Sequence, residues 1–231
     1  MLQAVFFDFD GVIADSEPLH LRAYQTVLRE DGIDLDKSDY YARYLGYDDV
    51  GLFQALAADR GITLTTAKID EWVDAKSRII EEMLTNGSVL FPGAAACIEA
   101  LASRVPLAVA SGALEPEIDL VLSHAGLRSH FIAIASASDG VRGKPEPDLY
   151  LLAMAKVRER LGRASDPRAC VAIEDSHWGL EAARRAGLRC VAVTHTYPAS
   201  ELGTADLVVD TLRDVTVSRI EDVLRDNGPT R

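Results

Sequence analysis

The sequence predicts an α/β protein: a doubly wound parallel sheet with a small α-helical domain inserted into it. Three observations carry that expectation. Short apolar runs rich in Val, Ile and Ala recur without clean alternation, the pattern of strands buried on both faces. Helical patterns separate the later runs, which gives a strand–helix–strand order with right-handed crossovers. One interval of about seventy residues carries helical patterns and no convincing strand.

Along the chain, the first strand is expected over Ala4–Phe9, closing on Asp8-Phe9-Asp10-Gly11. Helical segments follow around Leu19–Glu30, Val50–Arg60 and Thr66–Leu84, with Ser16 as N-cap and Pro18 in the first turn. This is too much chain for one crossover helix. Residues 16–87 are therefore expected to form an inserted helical domain, and residues 1–15 with 88–231 the sheet domain. Open α/β sheets bind ligands outside the carboxyl ends of their strands. An insertion at the end of strand one would cover that site, hinged at Ser16 and at Asn86–Pro92. Further strands are expected at Leu107–Ala110, Phe131–Ala135, Cys170–Ile173, Cys190–Val193 and Leu207–Val209. Helices are expected at Ala94–Ser103, Glu115–Ala125, Pro147–Leu161, Trp178–Ala186 and Val217–Arg225, with a frayed tail after Asn227-Gly228.

Of the 231 residues 48% are hydrophobic, enough for a sizeable core without disulfides. Cys97, Cys170 and Cys190 lie in apolar stretches without CxxC spacing and read as buried thiols in a reducing compartment. A net charge of −12 argues against a nucleic-acid or anionic-membrane partner. The N-terminus lacks a basic leader region, and no apolar stretch approaches the roughly 20 residues of a membrane helix. A soluble, cytoplasmic protein is the expectation.

The chemistry starts with carboxylates. Asp8 and Asp10 stand two apart at a strand end, where both side chains can leave together. Such a pair suits a hard cation such as Mg²⁺, or a division between nucleophile and acid/base. Asp-x-Asp-Gly is equally an ordinary turn closing a strand. The fourth strand closes on Glu174-Asp175, where Asp175 could simply cap the next helix. Yet parallel strands gather their carboxyl ends on one edge, and four carboxylates there would repel one another without a cation. Ser111-Gly112, after the second strand, can cradle an oxyanion or only turn the chain. Lys144, in Gly143-Lys144-Pro145-Glu146-Pro147-Asp148, is held by stiff proline backbone or is a solvated turn lysine. Neither a nucleotide P-loop nor a dinucleotide fingerprint occurs.

In this order the segments FFDFDGVIADSEPLH, VASGA, GKPEPD and IEDSHWGLEAARRAG resemble the four-motif signature of the haloacid dehalogenase superfamily. The helical insertion resembles its C1-type cap, and the wording is similar to the β-phosphoglucomutase and sugar-phosphate phosphatase branch. The resemblance implies a Mg²⁺-dependent phosphohydrolase acting on a small phosphorylated metabolite, most simply a sugar phosphate. Asp8 would be the nucleophile and a Mg²⁺ ligand. Asp10 would be the proton shuttle, with its backbone carbonyl on the metal. Glu174 and Asp175 would complete the metal site. Ser111 and Lys144 would neutralise the phosphoryl oxygens, helped by backbone near Gly11 and Gly112. An acid at position 10 points to phosphoryl transfer, since dehalogenases of the superfamily lack it.

His20 matches the branch's helical position after the first motif, and its alternative is a solvent-facing helix residue. Tyr44, Tyr47, Lys76 and Arg78 are further substrate-binding candidates in the cap. The competing reading is a phosphomutase, which needs a cationic second phosphate site. In β-phosphoglucomutases a cap-loop arginine after a glycine supplies it. The comparable segment here, Tyr44-Leu45-Gly46-Tyr47-Asp48-Asp49, offers two acids, so Lys76 or Arg43 would have to serve. Residues 16–87 hold 8 Lys or Arg against 14 Asp or Glu, a net −6, which favours a phosphatase. A phosphoacceptor signalling domain fits the insertion poorly, and a non-catalytic binding protein fits poorly with every catalytic position filled. The specific metabolite and the oligomeric state are not encoded in these motifs.

Overall fold

In the computed structural model, which describes residues 1–45, 47–85 and 89–225, parallel strands form a six-stranded sheet. They are β1 (Ala4–Phe7), β2 (Leu107–Ala110), β3 (Phe131–Ala135), β4 (Cys170–Glu174), β5 (Arg189–Val193) and β6 (Leu207–Val209). The helices are α1 (Glu17–Glu30), α2 (Lys37–Asp39), α3 (Asp49–Arg60), α4 (Thr66–Thr85), α5 (Ala94–Ala102), α6 (Glu115–His124), α7 (Asp148–Leu161), α8 (His177–Arg185) and α9 (Val217–Arg225). The chain divides into one unit of Met1–Asp15 with Ser88–Arg231 and a second of Ser16–Gly87. No described helix is long and apolar enough to cross a membrane.

The strand order is β3-β2-β1-β4-β5-β6, so the winding reverses between β1 and β4. A reversal of this kind opens a crevice at the carboxyl ends of the two strands. Phe7 pairs with Val109 on one side and Ile173 on the other. That register brings Asp8, Ser111 and Glu174-Asp175 out along one edge. Every residue of β1, β2 and β4 is buried, which is why these strands do not alternate. On one face the small residues Ala108, Ala110, Ala133 and Ala135 share a core with Leu149, Tyr150 and Ala153 of α7. The three cysteines are buried free thiols.

The first strand is shorter than the sequence predicts. Its ladder ends at Phe7 because the Phe9 carbonyl accepts from the Ile13 and Ala14 N–H groups, at 2.8 and 2.9 Å, and curls the chain. A turn, and not strand alternation, therefore places Asp10. Ser16 occupies the N-cap position of α1 but is already near-helical, at φ −86° and ψ −21°, and its side chain does not cap. Its carbonyl instead accepts from Leu19 and His20 at 2.8 and 3.0 Å. Asn86 to Ser88 of the expected hinge, Gly46 of the cap loop and the tail after Arg225 lie outside the described residues. The helical turn of α2, running on into a π-helical turn at Tyr40–Tyr44, is too short to show periodicity in sequence. Its signal is the Asp36 N-cap, which accepts the Ser38 N–H at 2.7 Å.

The helical unit has its own apolar core, including Tyr24, Leu28, Phe53 and Trp72, and one buried charge. The Lys76 side chain is 3% exposed and pairs with Asp49 Oδ1 at 2.9 Å. Tyr24 donates to the same oxygen at 2.5 Å, and its ring lies 5.3 Å from the ammonium. Tyr44 is also a core residue, buried and donating to Asp59 at 2.7 Å.

Asp49→Asn leaves the Lys76 ammonium without its counter-charge. It is expected to lower unfolding stability by about 3 kcal/mol in urea titrations. A pH effect arises nearby. Burial, with the Lys76 ammonium second, holds His20 down to about 3 from an ordinary 6.5, Asp49 opposing in part. The unfolded chain then binds the proton first as pH falls. The contribution of neutral His20 is complete above pH 6.5 and is lost progressively toward about 3. Wild type should therefore lose more stability than His20→Gln between pH 7 and pH 4, as read by thermal melts.

Candidate active site

Asp8 follows the last paired residue of β1, and its N–H still donates to the Ile173 carbonyl at 3.0 Å. Its Oδ1 accepts the Phe9 N–H at 2.7 Å. Its Oδ2 lies 2.8 Å from Lys144 Nζ. The same ammonium is 2.6 Å from Oε1 of Glu174, and the Tyr150 hydroxyl donates to that oxygen at 2.5 Å. Lys144 is thus shared between β1 and β4, while its loop is tied down by Arg185, which donates to the Pro145 carbonyl at 3.1 Å and to Glu146 at 2.9 Å.

Glu174 is fully buried at the end of β4. Ser176, not Asp175, caps α8, accepting the Gly179 N–H at 3.1 Å. Asp175 is therefore released to the site, where it is 5% exposed and hydrogen-bonded by Thr196. Ligand oxygens of Asp8, Glu174 and Asp175 lie within 4.8 Å of one another.

Three carboxylates and one ammonium leave this buried group short of positive charge. Burial opposes the charged form of Lys144, but Asp8 and Glu174 outweigh it and hold the ammonium above its ordinary range. Burial, then the charge of Asp8, pushes Glu174 up against the pull of Lys144. Asp175 is raised by burial, Asp8 and Glu174 together. Oxygen-only donors with surplus negative charge fit a hard divalent cation. The cluster could hold one.

Of the expected residues, Asp8, Lys144, Glu174 and Asp175 come together directly. Asp10 is half-buried in the turn, bridged to Ala14, and its carboxylate is not in the oxygen cluster. Ser111 stands one residue past β2, 1% exposed. Its hydroxyl accepts the Ala113 N–H at 3.1 Å, which leaves its own hydrogen to donate. A Cβ on Gly112 would meet nothing within 4 Å. Gly11, at φ +74°, has no room for one, since it would overlap the Asp175 carboxylate. His20 and Lys76 belong to the helical unit, as do exposed Tyr47 and Arg78, whose Nε donates to the Asp74 carbonyl at 3.2 Å.

Sequence reasoning missed four supports. Tyr150 reads as an apolar helix residue, yet its hydroxyl holds Glu174. Gly179 packs so closely on Glu174 that a Cβ would overlap the carboxylate. A glycine in the first turn of a helix was the available signal. His195 and Thr196, beyond the end of β5, fell outside every motif considered.

The model of the haloacid dehalogenase-like hydrolases matches residues 2–187, taking in all four segments. The chain belongs to that family. Protein CbbY of Cupriavidus necator is 36% identical over 222 residues, covering 90% of this chain and 84% of the relative. Fructose-1-phosphate phosphatase YqaB of Escherichia coli is 32% identical over 82% of this chain and 95% of its own. Among solved structures, CbbY from Rhodobacter sphaeroides in complex with phosphate superposes with a TM-score of 0.84. It is 27% identical over 96% of this chain and all of that one.

In this hydrolase Gly11→Ala is expected to cut turnover by about 100-fold or more, because it shifts Asp175 and the Asp10 turn together. Steady-state rates beside a circular-dichroism melt separate that loss from unfolding. Turnover within a few-fold of wild type would show that the close packing at Gly11 is dispensable.

Proposed function

We propose that this hydrolase is a Mg²⁺-dependent phosphatase of a small phosphorylated sugar or polyol, working through an aspartyl-phosphate on Asp8. The observation that carries the reading is the Asp8 carboxylate, set between the Lys144 ammonium at 2.8 Å and the Glu174-Asp175 pair. In this reading Asp8, Glu174, Asp175 and the Asp10 carbonyl would hold Mg²⁺, which would supply positive charge to the phosphoryl oxygens. Asp8 attacks phosphorus, the P–O ester bond breaks, and Asp10 gives its proton to the leaving alkoxide. Asp10, now a carboxylate, takes a proton from the water that attacks the acyl phosphate, and Asp8 is regenerated with inorganic phosphate. Lys144 and the Ser111 hydroxyl face the developing charge with little reorganisation. The helical unit, residues 16–87, serves as the cap that selects substrate, and residues 1–15 with 88–231 carry the chemistry.

The names of the relatives support a phosphorylated carbohydrate as substrate. The Lys76–Asp49 pair supports hydrolysis over mutase chemistry. Lys76 is spent on its own counter-ion at 2.9 Å, and Arg43 is paired with Asp59 at 2.5 Å, so neither is an uncommitted cation for a second phosphate.

Hydrolysis of an aryl phosphate should stop with a chelator and return with Mg²⁺, and full activity after exhaustive chelation would remove the metal assignment. Asp8→Asn should lower the rate by about 10⁴-fold or more with the fold intact. Asp10→Asn should lower it by about 10²-fold or more. Offered β-glucose 1-phosphate with a trace of the 1,6-bisphosphate, the enzyme should release phosphate. Efficient isomerisation without phosphate release would make it a mutase.

A further inference from the structure

The chain leaving β5 touches two of the four catalytic segments. β5 pairs with β4 through Glu174 and Ala192, so residues just past Val193 emerge beside Asp175. Two consecutive residues there make separate contacts. The His195 Nδ1 lies 2.9 Å from the Gly11 carbonyl. A carbonyl only accepts, so this nitrogen carries the hydrogen and donates it. The imidazole is also stacked on Phe91, with ring centroids 3.9 Å apart and planes at 16°. Phe91 in turn donates its N–H to the Ile13 carbonyl at 3.0 Å, so both contacts of the ring end on the Asp8–Ala14 turn. The hydroxyl of Thr196 bonds to Asp175 and closes over Gly11 from the same side.

Gly11 is where this turn is softest, since glycine restrains its own backbone least. Its N–H is bound to the Ala14 carbonyl at 2.9 Å, which fixes the peptide plane holding the Asp10 carbonyl. The His195 bond fixes the next plane. Proton transfer by Asp10 depends on such placement.

We propose that His195 and Thr196 are positioning residues of the phosphatase site, His195 for the Asp10-Gly11 turn and Thr196 for the Asp175 carboxylate. The inference rests on the phosphatase reading but uses residues beyond the 2–187 match to the family.

Two variants separate the functions of the His195 ring. His195→Phe keeps the stack on Phe91 and loses the N–H. His195→Asn places an amide N–H near the Nδ1 position and loses the stack. The Phe variant should lower kcat by about 10- to 100-fold with KM little changed, while the Asn variant recovers most of that loss. Equal loss in both, or no loss in the Phe variant, would overturn the role of the hydrogen bond. Thr196→Val is read without turnover, by calorimetric titration of the substrate-free protein with Mg²⁺. Its Kd should rise by about tenfold, with Thr196→Ser close to wild type. An unchanged Kd in the valine variant would overturn the Thr196 assignment. Wild-type turnover in the same assay tests the phosphatase reading by itself, and the Mg²⁺ titration reads Thr196 whether or not that reading holds.

Discussion

Lys144 brings one positive charge into a buried group of three carboxylates, and the surrounding structure is arranged to keep it there. Its ammonium touches Asp8 and Glu174, at 2.8 and 2.6 Å, and so ties the central strand to its neighbour across the point where the sheet reverses. A lone lysine in such a place would lose its proton to desolvation. Here the two carboxylates reverse that tendency. The same ammonium holds Asp8 Oδ2 in place, and in the proposed reading it would also stand beside the oxygens of a phosphoryl group on Asp8. Without it, Asp8 and Glu174 would meet as like charges at buried positions.

The fold meets this constraint with local devices. The strand order places Asp8 and Glu174 on adjacent strands at a crevice. The Phe9 carbonyl ends β1 early, so Asp8 leaves the sheet while its N–H is still held by Ile173. Ser176 takes the capping duty at α8, which frees Asp175. Gly11 and Gly179 allow two carboxylates to approach the backbone closely. The Tyr150 hydroxyl donates to the same Glu174 oxygen as Lys144. Each feature is ordinary alone, and together they fix three acids and a base within a few ångströms.

Much of this was legible in the sequence, for identifiable reasons. Strands buried on both faces leave a continuous apolar run, so all six were found, with ends displaced by a residue or two. Asp8, Glu174 and Asp175 stand out in the sequence because they close or follow a strand, and Lys144 because it opens a proline-stiffened turn, and the structure brings these four together. What the sequence concealed depended on distant partners. Tyr150 is 24 residues from Glu174 and His195 is 184 residues from Gly11, and no local pattern marks either pairing. The competition between Asp175 and Ser176 for the cap of α8 could not be decided locally, because both residue types cap helices.

Two sequestered lysines, Lys76 buried and Lys144 with its side chain 11% exposed, sit in different charge balance. Lys76 faces one carboxylate, and Tyr24 donates to that same carboxylate, so the group closes on itself. Burial of a matched pair of this kind leaves little residual field, and its loss should be felt mainly as stability. Lys144 faces a surplus of carboxylate, so its group stays incomplete without a further cation or proton. The raised Glu174 and Asp175 express that deficit. Strong perturbation from burial plus named charges, gathered at a sheet crevice, is what a site held ready for a cationic ligand should display. The two ammoniums thus differ in what surrounds them, one matched by a single carboxylate and one set in a surplus of negative charge.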